Sequence, residues 1–247
     1  MIFFVTFNNL LLAVCLSNMT NSKQKILNTL IIFNALLIIS QDVWLYVWDF
    51  IDISFFIFYG FILFKDEYLK YLVPINFLHI FNRESALIMA VFFLLLMYTK
   101  DKNFTKLFKN NYVIGLIFNL TFGVLYTYFS RKILFIRQSD YTGGGQDLEN
   151  NFLGGNWVTP LYNYNSLYNG ETLANTLILL SLLLVFIFIF KNYKSFESVQ
   201  KNLSLGVFLN ILPVFIFGIF TETRQYFPSL VLLTYLIFSK INLKQET

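Results

Sequence analysis

The chain has 247 residues, 57% of them hydrophobic and 13% charged, with a formal net charge of +4. That charged share is about half of what a soluble domain carries, which excludes a soluble enzyme, a disordered chain and a disulfide-built secreted domain. The apolar runs are continuous rather than alternating over roughly ten residues, so a barrel is excluded too. The expectation is an all-α, polytopic transmembrane bundle of about eight or nine helical segments forming a single integral membrane domain over 1–247.

In chain order, apolar runs stand at Met1–Leu16, Ile26–Ser40, Phe50–Phe64, Tyr71–Tyr98, Asn111–Ser130, Leu173–Phe190, Leu203–Phe220 and Tyr226–Ser239. Met1–Leu16 has no preceding Lys or Arg and no small-x-small site after it, so it reads as something other than an ordinary signal peptide. The lone cysteine, Cys15, falls inside this run and reads as a small buried hydrophobe. Tyr71–Tyr98 is interrupted at its middle by Asn82-Arg83-Glu84. If it crossed once, the lysines at 65–70 and 100–109 would fall on opposite faces. If it is a hairpin of two short helices with its tip at Asn82-Arg83-Glu84, the lysine groups around 23–25, 65–70, 100–109, 191–201 and 240–244 all share one face. The positive-inside rule favours the hairpin, with the lysines and the C-terminus cytoplasmic and the N-terminus outside. The largest loop, Arg131–Glu171, or 131–172 up to the apolar run at Leu173, is then extracytoplasmic; its Tyr141, Trp157, Tyr162, Tyr164 and Tyr168 suit an interfacial belt, or stacking on sugars. Orientation also explains the basic residues better than nucleic acid does, because no basic stripe is interleaved with aromatics. The bilayer is the expected partner, and no cofactor or protein partner is implied.

Under this topology the remaining charges gather toward the outer face. Asp42, Asp49 and Asp52 flank one helix start, Arg83 and Glu84 form the hairpin tip, and Glu222 and Arg224 lie between the last two runs. Ionisable groups at membrane depth are costly and are usually paired or functional. Asp49 and Asp52, at i and i+3, share a helical face. That arrangement suits a general base, a divalent cation or an arginine partner, and equally a solvated helix start where acidic residues favour the dipole. Arg83 with an Asp, and Arg224 with Glu84 or Glu222, are the natural ion pairs. His79, the single histidine, stands one turn before Arg83 and reads as a hydrogen-bonded helix residue; it cannot build a metal site alone. Gly143-Gly144-Gly145 lacks a following Gly-Lys-Ser/Thr and is not a phosphate loop.

Two of these segments resemble known ones. Phe81-Asn82-Arg83-Glu84-Ser85-Ala86-Leu87 resembles the N-R-E-[ST]-A segment of a group of poorly characterised bacterial multi-pass membrane proteins, and Thr221-Glu222-Thr223-Arg224-Gln225-Tyr226-Phe227-Pro228 resembles their E-x-R-x-[FY] segment. Asp49-Phe50-Ile51-Asp52 is similar to a third, weaker element. The layout is similar to membrane glycosyltransferases of the C type, which draw on lipid-phosphate sugar donors at an outward-facing site. The resemblance implies a bacterial inner-membrane protein with a lipid-linked sugar as substrate. It implies Asp49 or Asp52 as base or metal holder, Arg83 and Arg224 binding phosphate through their guanidinium forks, and Glu84 and Glu222 orienting those arginines. Enzymes of that type carry an acidic motif in the first large outer loop. No such loop precedes Asp42 here, which leaves Asp42, Asp49 and Asp52 as candidates for that role. Two further classes stay open: a carrier or flippase for a lipid-linked or anionic substrate, with the broken segment shaping its site, and a non-catalytic membrane subunit or assembly factor.

Overall fold

The computed structural model describes residues 2–40, 46–101, 109–134, 172–217 and 223–241. Among these residues the chain is all helical, without a strand, and forms nine α-helices. They are α1 Ile2–Ser17, α2 Lys23–Ile39, α3 Val47–Phe64, α4 Leu72–Ile80, α5 Ser85–Asp101, α6 Asn111–Leu134, α7 Thr172–Asn192, α8 Ser198–Phe217 and α9 Phe227–Lys240. Each expected apolar run has become a helix with ends shifted by a few residues, and the interrupted run has become two, α4 and α5. Three stretches are long and apolar enough to cross a membrane: Val47–Phe64, which is α3, Asn111–Ser130 within α6, and Ile178–Ser195, which runs from α7 through the 3-10 turn Tyr193–Ser195. Helix α6 continues through Leu134, past the expected start of the outer loop.

Local chemistry sets the boundaries. The Ser22 hydroxyl accepts from the Lys25 backbone N–H at the start of α2. At the start of α3 the Tyr46 N–H donates to Asp49 Oδ2 at 2.9 Å, half of a capping box supplied by an acidic residue in the first turn. Pro228 opens α9, where its missing N–H removes nothing from the helix. Helix α4 has only 9 residues, about 13 Å, against 18 residues and about 27 Å for α3. A 3-10 stretch, Asp66–Tyr71, leads into α4 and makes up part of the difference.

Helix α9 is buried on nearly all sides, and it packs against α2, α3 and α8. Tyr235 on α9 is fully buried and donates its hydroxyl to the Ile57 carbonyl of α3 at 2.9 Å. Gly60, one turn further along α3, lies directly beneath the Tyr235 ring; a Cβ at that position would overlap the ring carbons. Helix α1 packs on α3 and α2, and α4 lies between α3, α5 and α6. The α4–α5 pair turns at the expected Asn82-Arg83-Glu84, but the arms are unequal, 9 residues in α4 and 17 in α5, rather than two short helices. Its tip is fastened to the start of α3 by Asn82 Nδ2 donating to the Trp48 carbonyl at 3.0 Å. Helix α7 is peripheral and exposes Leu184 and Phe190.

The outside of the bundle is as apolar as its hydrophobic core, and several polar side chains are buried within that core. Asn8, Asp49, Asp52, Asn76, His79, Asn119 and Asn210 are buried, while Phe3, Leu10, Ile38, Phe118, Leu184 and Phe190 are exposed on its outside.

Candidate functional site

The polar groups converge where the α4–α5 tip meets the first turns of α3. The i, i+3 spacing puts Asp49 and Asp52 on the face of α3 that turns toward the hairpin, and both are fully buried. The reading of this pair as a solvated helix start is thereby overturned. Asp49 has both oxygens engaged. Oδ1 accepts from Arg83 Nη1 at 2.7 Å, and Oδ2 holds the Tyr46 N–H. The expected pairing of Arg83 with an aspartate is therefore present. The same Nη1 lies 3.8 Å from Asp52 Oδ2.

Arg83 reaches this position because the chain reverses within the tip, where its backbone N–H bonds the His79 carbonyl at 3.0 Å. Its side chain is 21% exposed, while the two carboxylates beside it have no exposure. A guanidinium offers five N–H donors in a fixed fork, and Asp49 takes one of them. Nε and Nη2 have no partner among the described residues.

Asp52 has a different role. Its Oδ1 lies 2.5 Å from His79 Nε2 and accepts the Ser85 hydroxyl at 2.6 Å. Its Oδ2 is buried without a hydrogen bond. Unsatisfied carboxylate oxygens are rarely left inside proteins, since the lost hydration is expensive. Of the two candidate acids, Asp52 is the one with a carboxylate oxygen that makes no hydrogen bond among the described residues.

Behind Asp52 a polar chain runs on into the bundle. The other imidazole nitrogen, Nδ1, lies 3.0 Å from the Tyr59 hydroxyl. Asn76 Nδ2 reaches that hydroxyl at 3.2 Å and the Ala86 carbonyl at 2.8 Å. Asn119 Nδ2 bonds Asn76 Oδ1 at 3.1 Å and the Val73 carbonyl at 2.8 Å. Phe55 stacks on the imidazole with ring centroids 4.5 Å apart, and Phe56 meets its edge. The single histidine is thus a hydrogen-bonded helix residue, as expected, and it is also the hub joining an acid to an internal network.

Asp, His and Ser meet here, yet they do not form a hydrolase triad. In a triad the acid and the serine occupy opposite ring nitrogens. Here Asp52 and Ser85 share Nε2, with Ser85 Oγ 3.1 Å from it, and a tyrosine takes Nδ1. Among the described residues, no three His, Cys, Asp or Glu side chains come together to hold a metal ion.

The remaining candidates divide. Glu84 is half-buried in the tip, where its carbonyl accepts from the Leu87 N–H. Asp42 and Glu222 lie outside the described residues, as do the outer-loop aromatics. Arg224 belongs to the 3-10 turn Thr223–Tyr226, with its side chain outside what is described. The segment that follows does approach the acids. Phe227 packs on Phe50, next to Asp49, with ring centroids 6.4 Å apart. Sequence reasoning missed Tyr59, Asn76, Ser85 and Asn119. The available signal was the i, i+3 pair Asn76 and His79 on one face of an otherwise apolar helix.

In comparisons with known proteins, no family model matches the chain, and no curated protein or solved structure matches it.

Proposed function

We propose that this chain is a polytopic membrane protein and that its Asp49–Asp52–Arg83 centre binds the phosphate of a lipid-linked substrate at the extracytoplasmic face, in the manner of a C-type glycosyltransferase. Membrane immersion is supported by the apolar exterior and by the polar groups kept inside. Burying Asp, Asn and His while exposing Leu and Phe is costly in water and natural in lipid. The topology is supported by contacts among lysine-bearing helix ends. Lys25 at the start of α2 lies 4.4 Å from the Phe238 ring at the end of α9. Lys240 reaches Ser195, between α7 and α8, at 3.1 Å. These ends share one pole, the cytoplasmic one by the positive-inside rule, and the α4–α5 tip lies at the other.

The observation that carries the reading is the imbalance at Arg83. Its partners are buried and, among the described residues, most of its fork has no partner, which is what a site for an incoming anion requires. In the transfer step, an acceptor hydroxyl loses its proton to Asp52 Oδ2 while its oxygen bonds the sugar's anomeric carbon. The bond from that carbon to the phosphate oxygen breaks, and the lipid phosphate leaves with its charge held by Arg83. Asp49 anchors Arg83 and caps α3.

The first test is binding. Farnesyl phosphate, titrated into the detergent-solubilised protein, is expected to give a saturable change in tryptophan fluorescence, because Trp48 adjoins the tip. Farnesol, which lacks the phosphate, is expected to give none. Arg83→Lys keeps the charge and loses the fork, and should weaken farnesyl phosphate binding about tenfold, or ~1.4 kcal/mol. Equal affinity for phosphate and alcohol, or an Arg83→Lys variant that binds as well as wild type, overturns the proposal. The carrier alternative draws on a separate observation, the buried Asp52–His79 pair, since acid–histidine chains serve as proton relays in transporters. Movement of farnesyl phosphate across a vesicle membrane, without sugar transfer, would select it.

A further inference from the structure

The hydrogen-bond chain behind Asp52 fixes where the histidine proton resides. Two backbone carbonyls, which can only accept, set the direction of the chain. The Val73 carbonyl lies 2.8 Å from Asn119 Nδ2, so that amide nitrogen faces it. Asn119 then donates its second N–H to Asn76 Oδ1. The Ala86 carbonyl, 2.8 Å from Asn76 Nδ2, orients the Asn76 amide in the same sense. Both amides are set independently, and the settings agree. Asn76 therefore directs its other N–H at the Tyr59 oxygen, which becomes an acceptor. Among the described residues, the Tyr59 O–H has one remaining hydrogen-bond partner, His79 Nδ1. A hydroxyl that donates to Nδ1 requires that nitrogen to be unprotonated. The imidazole proton is then on Nε2, facing Asp52 Oδ1.

We infer that Asn76 and Tyr59 are positioning residues that hold His79 neutral with its proton on Nε2, so that His79 and Ser85 both donate to Asp52 Oδ1 and leave Oδ2 as the proton-accepting atom. The last clause rests on the proposed function; the tautomer does not. The logic is that of an orienting acid in a triad run in reverse. Here the histidine orients the acid, and a tyrosine orients the histidine. Protonating His79 requires Nδ1 to gain a hydrogen that faces the Tyr59 hydroxyl. The Tyr59 O–H must then turn away, into surroundings that offer it no acceptor among the described residues. The charged groups facing the imidazole and its acid are Asp52, Asp49 and Arg83, with Tyr59 on the far side.

His79 is the only histidine in the chain, so its two ring nitrogens can be read without assignment. Protein labelled with ¹⁵N-histidine, in detergent near neutral pH, is expected to show one pyrrole-type nitrogen, Nε2, and one pyridine-type nitrogen, Nδ1. In Tyr59→Phe the Nδ1 donor is gone, and both signals should move toward an average of the two tautomers. Asn76→Leu should move them the same way by a smaller amount, because Tyr59 is then free to accept. Phe55→Leu removes the stacked ring and no hydrogen bond, and should leave the tautomer as in wild type. A wild-type ring protonated on Nδ1, or on both nitrogens, overturns the inference. So does a folded Tyr59→Phe protein with an unchanged spectrum. If Tyr59→Phe does not fold, the wild-type spectrum and Asn76→Leu still decide it. None of these measurements involves ligand. Loss of the farnesyl phosphate result would remove the proposed function and leave the tautomer standing, and a wrong tautomer would do the reverse.

Discussion

Asp49 and Asp52 are the same residue type on the same helical face, and the difference between them lies in their neighbours. Asp49 closes the first turn of α3 and neutralises Arg83, so it is built into the fold. Asp49→Ala removes the cap, worth about 0.5–2 kcal/mol, and strips Arg83 of its close partner. Losing one member of a buried pair costs about 3–5 kcal/mol, less where the cation is partly exposed. Arg83 is 21% exposed, so a total loss of about 2–4 kcal/mol is expected for Asp49→Ala. Asp49→Asn retains an acceptor for one of the two donors and should lose about half as much. Thermal unfolding in detergent, followed by near-ultraviolet circular dichroism, measures both. Wild-type stability for Asp49→Ala would show that the pair does not hold the tip to α3. Asp49, Asp52 and Arg83 are visible in the sequence because charge inside an apolar run is conspicuous. Tyr59 is not, because a tyrosine in a phenylalanine-rich helix carries no such contrast. Its link to His79 depends on the register of α3 against α4, which no local pattern encodes.

The hairpin is the element that organises the site. It was legible because three consecutive polar residues interrupt one long apolar run, and its tip follows from that break. The central position of α9 was not legible. Its residues are apolar on every side, and so are those of peripheral α7; periodicity cannot rank two such helices. What distinguishes α9 is a close approach. Gly60 on α3 gives up its side chain so that the Tyr235 ring can lie against the backbone, with the hydroxyl reaching the Ile57 carbonyl. Tyr235 has no exposure. Gly60→Ala should therefore destabilise the bundle by about 1–3 kcal/mol, the usual cost of overpacking, although alanine is the better helix former. Tyr235→Leu in the same chain should recover part of the loss, since a shorter side chain leaves room for the new methyl. Additive losses in the double variant would mean that Gly60 and Tyr235 do not oppose each other.

At the scale of the whole molecule, the positions of the lysines and of the polar centre are two consequences of one constraint. A chain with this polarity in lipid keeps its strongly hydrated ammonium groups at one surface and hides the charges it needs elsewhere inside the bundle. The short α4 lets the chain descend from the lysine pole, turn at Asn82-Arg83-Glu84 and return through α5 to the same pole. Lys65, before α4, and Lys109, just ahead of α6, should therefore be reached from one side of the membrane, and Trp48, beside the tip, from the other. Single-cysteine variants at the three positions, in a Cys15→Ala background and in intact cells, make the comparison with an impermeant maleimide. Trp48→Cys is expected to label from outside, because Trp48 is 48% exposed at the pole opposite the lysines. Lys65→Cys and Lys109→Cys are expected to label only after the membrane is opened. Labelling of Lys65→Cys and Lys109→Cys from opposite sides would mean that α4 and α5 do not return the chain to its starting face, and the outward placement of Arg83 would fall with the hairpin. Labelling of all three from inside would preserve the hairpin and reverse the proposed site, which would then meet a lipid phosphate from the cytoplasm.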